Sequence, residues 1–132
     1  MSQNITLRKF QEKVDLQELS KIWQISKEEL TKDTLVCTLK NKIIGGVIYK
    51  TLNDYYEVDK YSGNLDCYKT IINFFKEKAT TGIKKRSVIF LVPDDDKIDI
   101  MLPLLKKEGF SVKLKPNKDS SDTWICSWSC NE

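Results

Sequence analysis

A chain of 132 residues, 40% apolar and 31% charged, is long enough for one sustained core and too apolar to stay disordered. Its net charge of +3, from 22 basic and 19 acidic residues, is too slight for the concentrated basic face of a nucleic-acid footprint. The chain has no histidine, which excludes Ser-His-Asp and Cys-His nucleophile systems, an imidazole base and any mixed Cys/His metal site.

Chemistry must therefore rest on carboxylates, tyrosines, thiols, lysines or the backbone. The four cysteines, Cys37, Cys67, Cys126 and Cys130, lack the C-x-x-C spacing of a zinc site, so four reduced and mostly buried thiols are expected, with no metal. The longest apolar runs are strand-sized, so no membrane span is expected. Met1-Ser2-Gln3-Asn4 leads straight into a strand-like run without a signal-peptide core. A cytoplasmic protein is expected, with the nucleus as the other compartment left open.

In chain order, Ile5 and Leu7 alternate with Thr6 and Arg8 as in a strand. Leu16, Leu19, Ile22, Trp23 and Ile25 recur at helical spacing and predict a helix over residues 14–25, with Asp15 at its start. Ser26 followed three residues on by Glu29 has the spacing of a capping box and points to a second short helix or a turn. Strands are predicted over residues 35–39 and 43–49 around a turn at Asn41-Lys42, and over 55–58 after a turn at 52–54. Gly45-Gly46 inside the second strand marks a bulge or a close backbone approach.

A helix over residues 65–79 is predicted to bury Leu65, Tyr68, Ile71, Ile72 and Phe75, with Gly82 near its C-terminal cap. Residues 87–92 form an unbroken apolar run, as in a central strand covered on both faces, and Pro93 stops it. Asp94-Asp95-Asp96 suits a helix start, where acidic groups meet the positive end of the dipole. Ile98, Ile100, Met101, Leu104 and Leu105 supply that helix's buried side, Pro103 predicts a kink or a late start, and Gly109 closes it. Residues 110–115 read as a strand, 116–121 as a polar loop, and 123–130 as a closing strand with Trp124, Cys126, Trp128 and Cys130 on one face. The basic run Lys84-Lys85-Arg86 reads as a solvated helix-to-strand connection.

The order β-α-(α)-β-β-β-α-β-α-β-β resembles the GNAT N-acetyltransferase family across nearly the whole chain. Three stretches carry the likeness: Asn41-Lys42-Ile43-Ile44-Gly45-Gly46-Val47-Ile48 in the family's second hairpin, the strand over residues 88–92, and Leu104-Leu105-Lys106-Lys107-Glu108-Gly109-Phe110 as the helix that ends in Gly-Phe. The resemblance implies an α/β (α+β) fold in a single domain of residues 1–132. That fold is a central mixed, mostly antiparallel twisted sheet of about six to seven strands flanked by about four helices.

The family binds acyl-CoA where its fourth strand splays from its fifth, and cradles the pyrophosphate on a loop of pattern Gln/Arg-x-x-Gly-x-Gly/Ala. Glycines let the backbone approach phosphate oxygens with several N–H groups aimed inward. Two registers compete here. Lys60-Tyr61-Ser62-Gly63-Asn64-Leu65 keeps one glycine, with Lys60 for Gln/Arg and Leu65 in place of a tiny residue. Counted from the strand, Asp66-Cys67-Tyr68 would stand for Gly-x-Gly/Ala, and an aspartate there repels pyrophosphate. The glycine register agrees with the apolar stripe of the following helix and assigns cofactor binding to Val58, Lys60, Ser62, Gly63, Asn64 and Leu65.

The family's thiolate-protonating tyrosine, four residues before the glycine of Gly-Phe, is Leu105 here. Its general base is frequently a glutamate on the fourth strand, which makes Glu57 the candidate base and Tyr61 the candidate acid, with Tyr55 and Tyr56 as other proton sources. Without the resemblance, Glu57 is equally an outward residue of a half-exposed strand. Two functions stay open. One is a divergent N-acetyltransferase that takes acetyl-CoA and an amine. The other is a catalytically inactive GNAT-fold module, a pseudoenzyme that binds a protein, for which Tyr55, Tyr56 and Tyr61 would suit an interface. Neither a membrane nor a nucleic-acid partner is expected. The chain is expected as a monomer or a homodimer, the latter through the strand over 123–130.

Overall fold

The computed structural model describes residues 5–23, 28, 33–82, 84–93, 98–115 and 123–129. The expected short helix at 26–30 (Glu28 aside), the acidic run at 94–96, the loop at 116–121 and Cys130 lie outside the described residues. The elements in chain order are β1 (Ile5–Lys9), α1 (Glu12–Ile22), β2 (Thr34–Leu39), β3 (Lys42–Thr51), β4 (Tyr55–Ser62), α2 (Leu65–Thr81), β5 (Ser87–Pro93), α3 (Ile98–Lys107), β6 (Ser111–Lys115) and β7 (Thr123–Ser129).

The strands pair in the order β1-β2-β3-β4-β5-β7-β6. β4 and β5 run parallel, whereas β1–β2, β2–β3, β5–β7 and β6–β7 run antiparallel. This is the mixed, mostly antiparallel sheet expected from the sequence. A parallel pair cannot be joined by a hairpin, and the 17-residue α2 is the crossover that β4 and β5 require. No helix among the described residues is long and apolar enough to cross a membrane.

Contacts divide the chain into two compact units, Met1–Tyr49 with Lys60–Ile71 and Lys50–Asp59 with Ile72–Glu132. In the first, Leu19, Val36 and Ile48 form a buried cluster against which Phe10, Leu16, Trp23 and Ile43 pack. α1 starts at Glu12, ahead of the expected position, because Asp15 is a buried first-turn residue and not the helix's leading residue. Its carboxylate accepts hydrogen bonds from Arg8 Nη1 at 2.7 Å, Arg8 Nη2 at 2.8 Å and the Gln11 N–H at 2.7 Å. Above all the Arg8 bonds hold Asp15 below the usual aspartate range, against the opposing effect of burial.

The β2–β3 turn falls on Lys40 and Asn41, with φ of 53° and 66°, one residue earlier than expected. Left-handed backbone at both central residues is what a two-residue hairpin turn needs. Further along, Cys37 pairs with Gly45 but Thr38 with Ile43, so Ile44 is an extra residue and the expected bulge is present. Gly46 also allows a close approach, since a Cβ there would lie 3.0 Å from Cζ3 of Trp23.

The second unit is built on a run of aromatic rings. Tyr56 meets Phe75 at 6.0 Å between centroids, Phe75 meets Phe90 at 6.3 Å, Phe90 meets Phe110 at 5.5 Å and Phe110 meets Trp128 at 6.4 Å. The two Phe90 contacts are edge-on, the arrangement favoured by ring quadrupoles. β5 has a ladder neighbour on each side, but only Val88, Phe90 and Val92 are fully buried; Ile89 and Leu91 are half-buried. The expected central strand covered on both faces is thus dry on one face and half-covered on the other.

α3 runs through Pro103, which lacks the N–H that would meet the Asp99 carbonyl, and buries Met101, Leu104 and Leu105. Ile100, expected on the buried side, is exposed because it precedes the buried stripe by one place. Gly109 at φ 94° and the Phe110 N–H bonded to the Leu105 carbonyl at 2.9 Å close the helix. The basic connection is engaged locally: Arg86 Nε donates to the Leu52 carbonyl at 3.1 Å, and Lys84 pairs with Asp54 at 3.2 Å.

Candidate functional site

β4 ends at Ser62 and α2 begins at Leu65, so Gly63 and Asn64 alone make the strand-to-helix turn. Gly63 has φ 141°, a region that favours glycine, and a Cβ there would lie 2.6 Å from Cβ of Cys67. Asn64 caps the helix: its Oδ1 accepts the Cys67 N–H at 2.9 Å and its carbonyl accepts the Tyr68 N–H at 3.1 Å. The N–H groups of Leu65 and Asp66 have no acceptor inside the helix, and they sit at the positive end of its dipole.

Gly45 of β3 completes this turn. A Cβ at Gly45 would overlap the Ser62 carbonyl oxygen and lie 2.9 Å from Cα of Gly63, so strand and loop meet backbone to backbone. Such a cradle of close backbone and first-turn N–H groups favours an anion, while the Asp66 carboxylate in the first turn opposes one. The strand-counted register would put Asp66, Cys67 and Tyr68 in the loop. They are instead residues of α2, with Cys67 and Tyr68 buried.

Leu65, expected inside the helix stripe, is 47% exposed. The stripe begins at Cys67 because the first helical residue projects past the turn. Among the other residues assigned to cofactor binding, Lys60 is exposed and Ser62, Gly63 and Asn64 are partly or fully accessible, while Val58 is a fully buried residue of the second unit.

Beneath the loop the structure brings together a thiol pair that sequence reasoning did not find. Cys67 sits in the first turn of α2 and Cys37 on β2, both fully buried. A hydrogen bond from Cys37, aided by the Asn64 N–H, lowers Cys67 to about 7 against burial and the Asp66 charge, while the same bond and burial push Cys37 up. The two are 30 positions apart, and only folding reveals the contact.

On β4 the buried positions are Tyr56, Val58 and Tyr61, so the alternation slips by one residue between Val58 and Tyr61, as at a bulge. The ladder with β5 covers residues 55–58 against 87–90. Glu57 occupies the alternate face, with Asp59 two residues on. Lys50 Nζ lies 3.7 Å from Glu57 Oε2 and 3.5 Å from Asp59 Oδ2. The other aspartate oxygen, Oδ1, is buried and no donor among the described residues reaches it.

Glu57 is raised above the ordinary glutamate value, first by its hydrogen bond with Asp59, then by burial and the Asp59 charge; Lys50 pulls it the other way. A carboxylate so placed is a stronger base than a solvated one. The i, i+2 spacing of Glu57 and Asp59 on a strand was visible in the sequence and is the signal that would have found the pair.

Tyr61 is buried and packs edge-on against Tyr68 at 5.7 Å. Tyr56 is buried against Phe75. The expectation that both belong to a surface interface is therefore corrected: the even parity of Tyr56 and the slip before Tyr61 turn both rings inward. Leu105 is fully buried. Among the described residues, no group of three or more His, Cys, Asp or Glu side chains is placed to hold a metal ion.

No family model matches the sequence, and no curated protein matches it. Solved structures do match. Ard1 from Thermoplasma volcanium superposes with a TM-score of 0.67 at 17% identity, over 97% of this chain and 99% of that chain. A GNAT family acetyltransferase from Elizabethkingia anophelis, with acetyl-CoA bound, gives 0.68 at 16% identity over 96% and 98%. The aminoglycoside 6'-N-acetyltransferase from Enterococcus faecium gives 0.71 at 11% identity over 96% and 98%. At such identities the likeness is one of fold.

Proposed function

We propose that this chain, which has the fold of the GNAT acetyltransferases, is a divergent acetyl-CoA-dependent N-acetyltransferase that acts on an amine. The observation that carries the reading is the turn at Gly63 and Asn64. There the backbone bends in a way that favours glycine, Asn64 caps the helix, and the Leu65 and Asp66 N–H groups are left for an anion. The residues fit the group through those N–H groups, while glycine at 45 and 63 is required by packing within the fold, against Ser62 and Cys67.

On this reading the backbone of residues 62–65 holds the phosphates of acetyl-CoA and Lys60 adds positive charge, while Val58, fully buried, takes no part. Bound acetyl-CoA supplies an activated thioester. Glu57 takes the proton that the attacking amine loses. Leu105 has no proton to give, so Tyr61 is the chain's candidate donor to the departing thiolate. A single cytoplasmic domain of residues 1–132 fits three buried free thiols, Cys37, Cys67 and Cys126.

Calorimetric titration with acetyl-CoA tests the reading. Micromolar binding that Gly63→Glu abolishes is the expected result; no binding at millimolar ligand contradicts it. The second reading, an inactive protein-binding module, is favoured by one feature, the half-exposed Leu65 where a phosphate loop needs a tiny residue.

A further inference from the structure

We infer that Glu57 and Asp59 share one proton, carried by Glu57 and accepted by Asp59 Oδ1, so that Asp59 is the positioning residue that sets when Glu57 serves as the base. The inference deepens the proposed acetyl transfer and takes its catalytic meaning from it. It starts from a buried carboxylate oxygen of Asp59 that no donor among the described residues reaches.

Lys50 reaches one oxygen of each carboxyl group, Glu57 Oε2 and Asp59 Oδ2. Asp59 Oδ1 remains, buried and with no donor among the described residues. A buried acceptor in that state is costly, and native structures satisfy nearly all such atoms. Glu57 is on the same face two residues away, and the two carboxyl groups meet at one ammonium, with Lys50 Nζ 3.7 Å from Glu57 Oε2 and 3.5 Å from Asp59 Oδ2. A proton on Glu57 converts that contact from two repelling carboxylates into a donor and an acceptor.

Charge leads to the same conclusion. The groups that bear on Glu57 are Asp59 on β4 and Lys50 on β3, while its ladder partner on β5, Ile89, carries none. Two carboxylates and one ammonium leave one excess negative charge at side chains that are 22% and 19% exposed. Adding one proton makes the group neutral. Glu57 acts as the base only while the pair is unprotonated, and the proton it then takes comes from the attacking amine. The acceptor's N–H bond breaks, the O–H bond of Glu57 forms, and Asp59 Oδ1 receives the hydrogen bond.

The test is a carbon-13 titration of the Glu57 carboxyl resonance in the full chain, which requires no ligand. In the unaltered protein the midpoint is expected above the ordinary glutamate range. Asp59→Asn is expected to lower it, Lys50→Met to raise it further, and Lys50→Arg to leave it near the starting value. A general loss of structure would not move two variants in opposite directions. A Glu57 midpoint in the ordinary range, or one that Asp59→Asn leaves in place, overturns the inference. Acetyl-CoA calorimetry on the same samples separates the two ideas. Shifted midpoints without cofactor binding keep the proton pair and remove acetyl transfer, whereas cofactor binding with an ordinary Glu57 removes the pair alone.

Discussion

At the scale of single residues, the chain keeps its buried charges where several donors converge. Asp15 is fully buried while its partner Arg8 keeps 39% of its side chain exposed. The arrangement is therefore asymmetric. Losing the carboxylate leaves Arg8 free to find water but strips the Gln11 N–H of its acceptor. Asp15→Ala is expected to cost about 2 kcal/mol at neutral pH, measured by urea unfolding. Because the folded value is lowered, this stability is present above the unfolded aspartate value of about 3.9 and lost as pH falls through the folded value. The stability difference between parent and variant should thus be constant near neutrality and shrink below about pH 4.

Residue types were also where the sequence could mislead. Tyr56 and Tyr61 look like interface aromatics until the strand's alternation places Tyr56 inside and the slip between Val58 and Tyr61 turns Tyr61 in as well. Leu65 and Ile100 fit helical stripes by spacing yet are exposed: Leu65 is the first residue of its helix, and Ile100 lies on the flank of the stripe formed by Met101, Leu104 and Leu105.

At the scale of elements, the turn from β4 into α2 joins stability to the proposed binding. Asn64 supplies the acceptor that Cys67 N–H would otherwise lack. Asn64→Ala is expected to lower unfolding stability by about 1 kcal/mol and to weaken acetyl-CoA binding, read by urea unfolding and calorimetry on the same sample. Ala in place of Asn frees a third first-turn N–H, so tighter binding would show that the cap is not part of the cradle. The turn was partly legible in advance. A glycine one residue before an asparagine, followed by an apolar stripe, marks a helix start on its own. The close approach of Gly45 to Ser62 and Gly63 was only half legible, because two adjacent glycines announce crowding without saying what crowds them.

At the scale of the whole molecule, the mixed seven-stranded order follows from alternation, turns and one long crossover helix, all readable in the chain. What could not be read are meetings between distant residues: Cys37 with Cys67, and Lys50 with Glu57 and Asp59. Neither leaves a local pattern, because pairing across a sheet depends on register and the register here includes a bulge at Ile44.

The central claim is that the first turn of α2 receives an anionic cofactor through its backbone. An amide nitrogen-15 titration with acetyl-CoA reads those N–H groups directly. The account expects the largest shifts at Gly63, Leu65 and Asp66, saturating with one binding constant and absent in Gly63→Glu. Saturable shifts centred elsewhere, with these three amides unmoved, would contradict it.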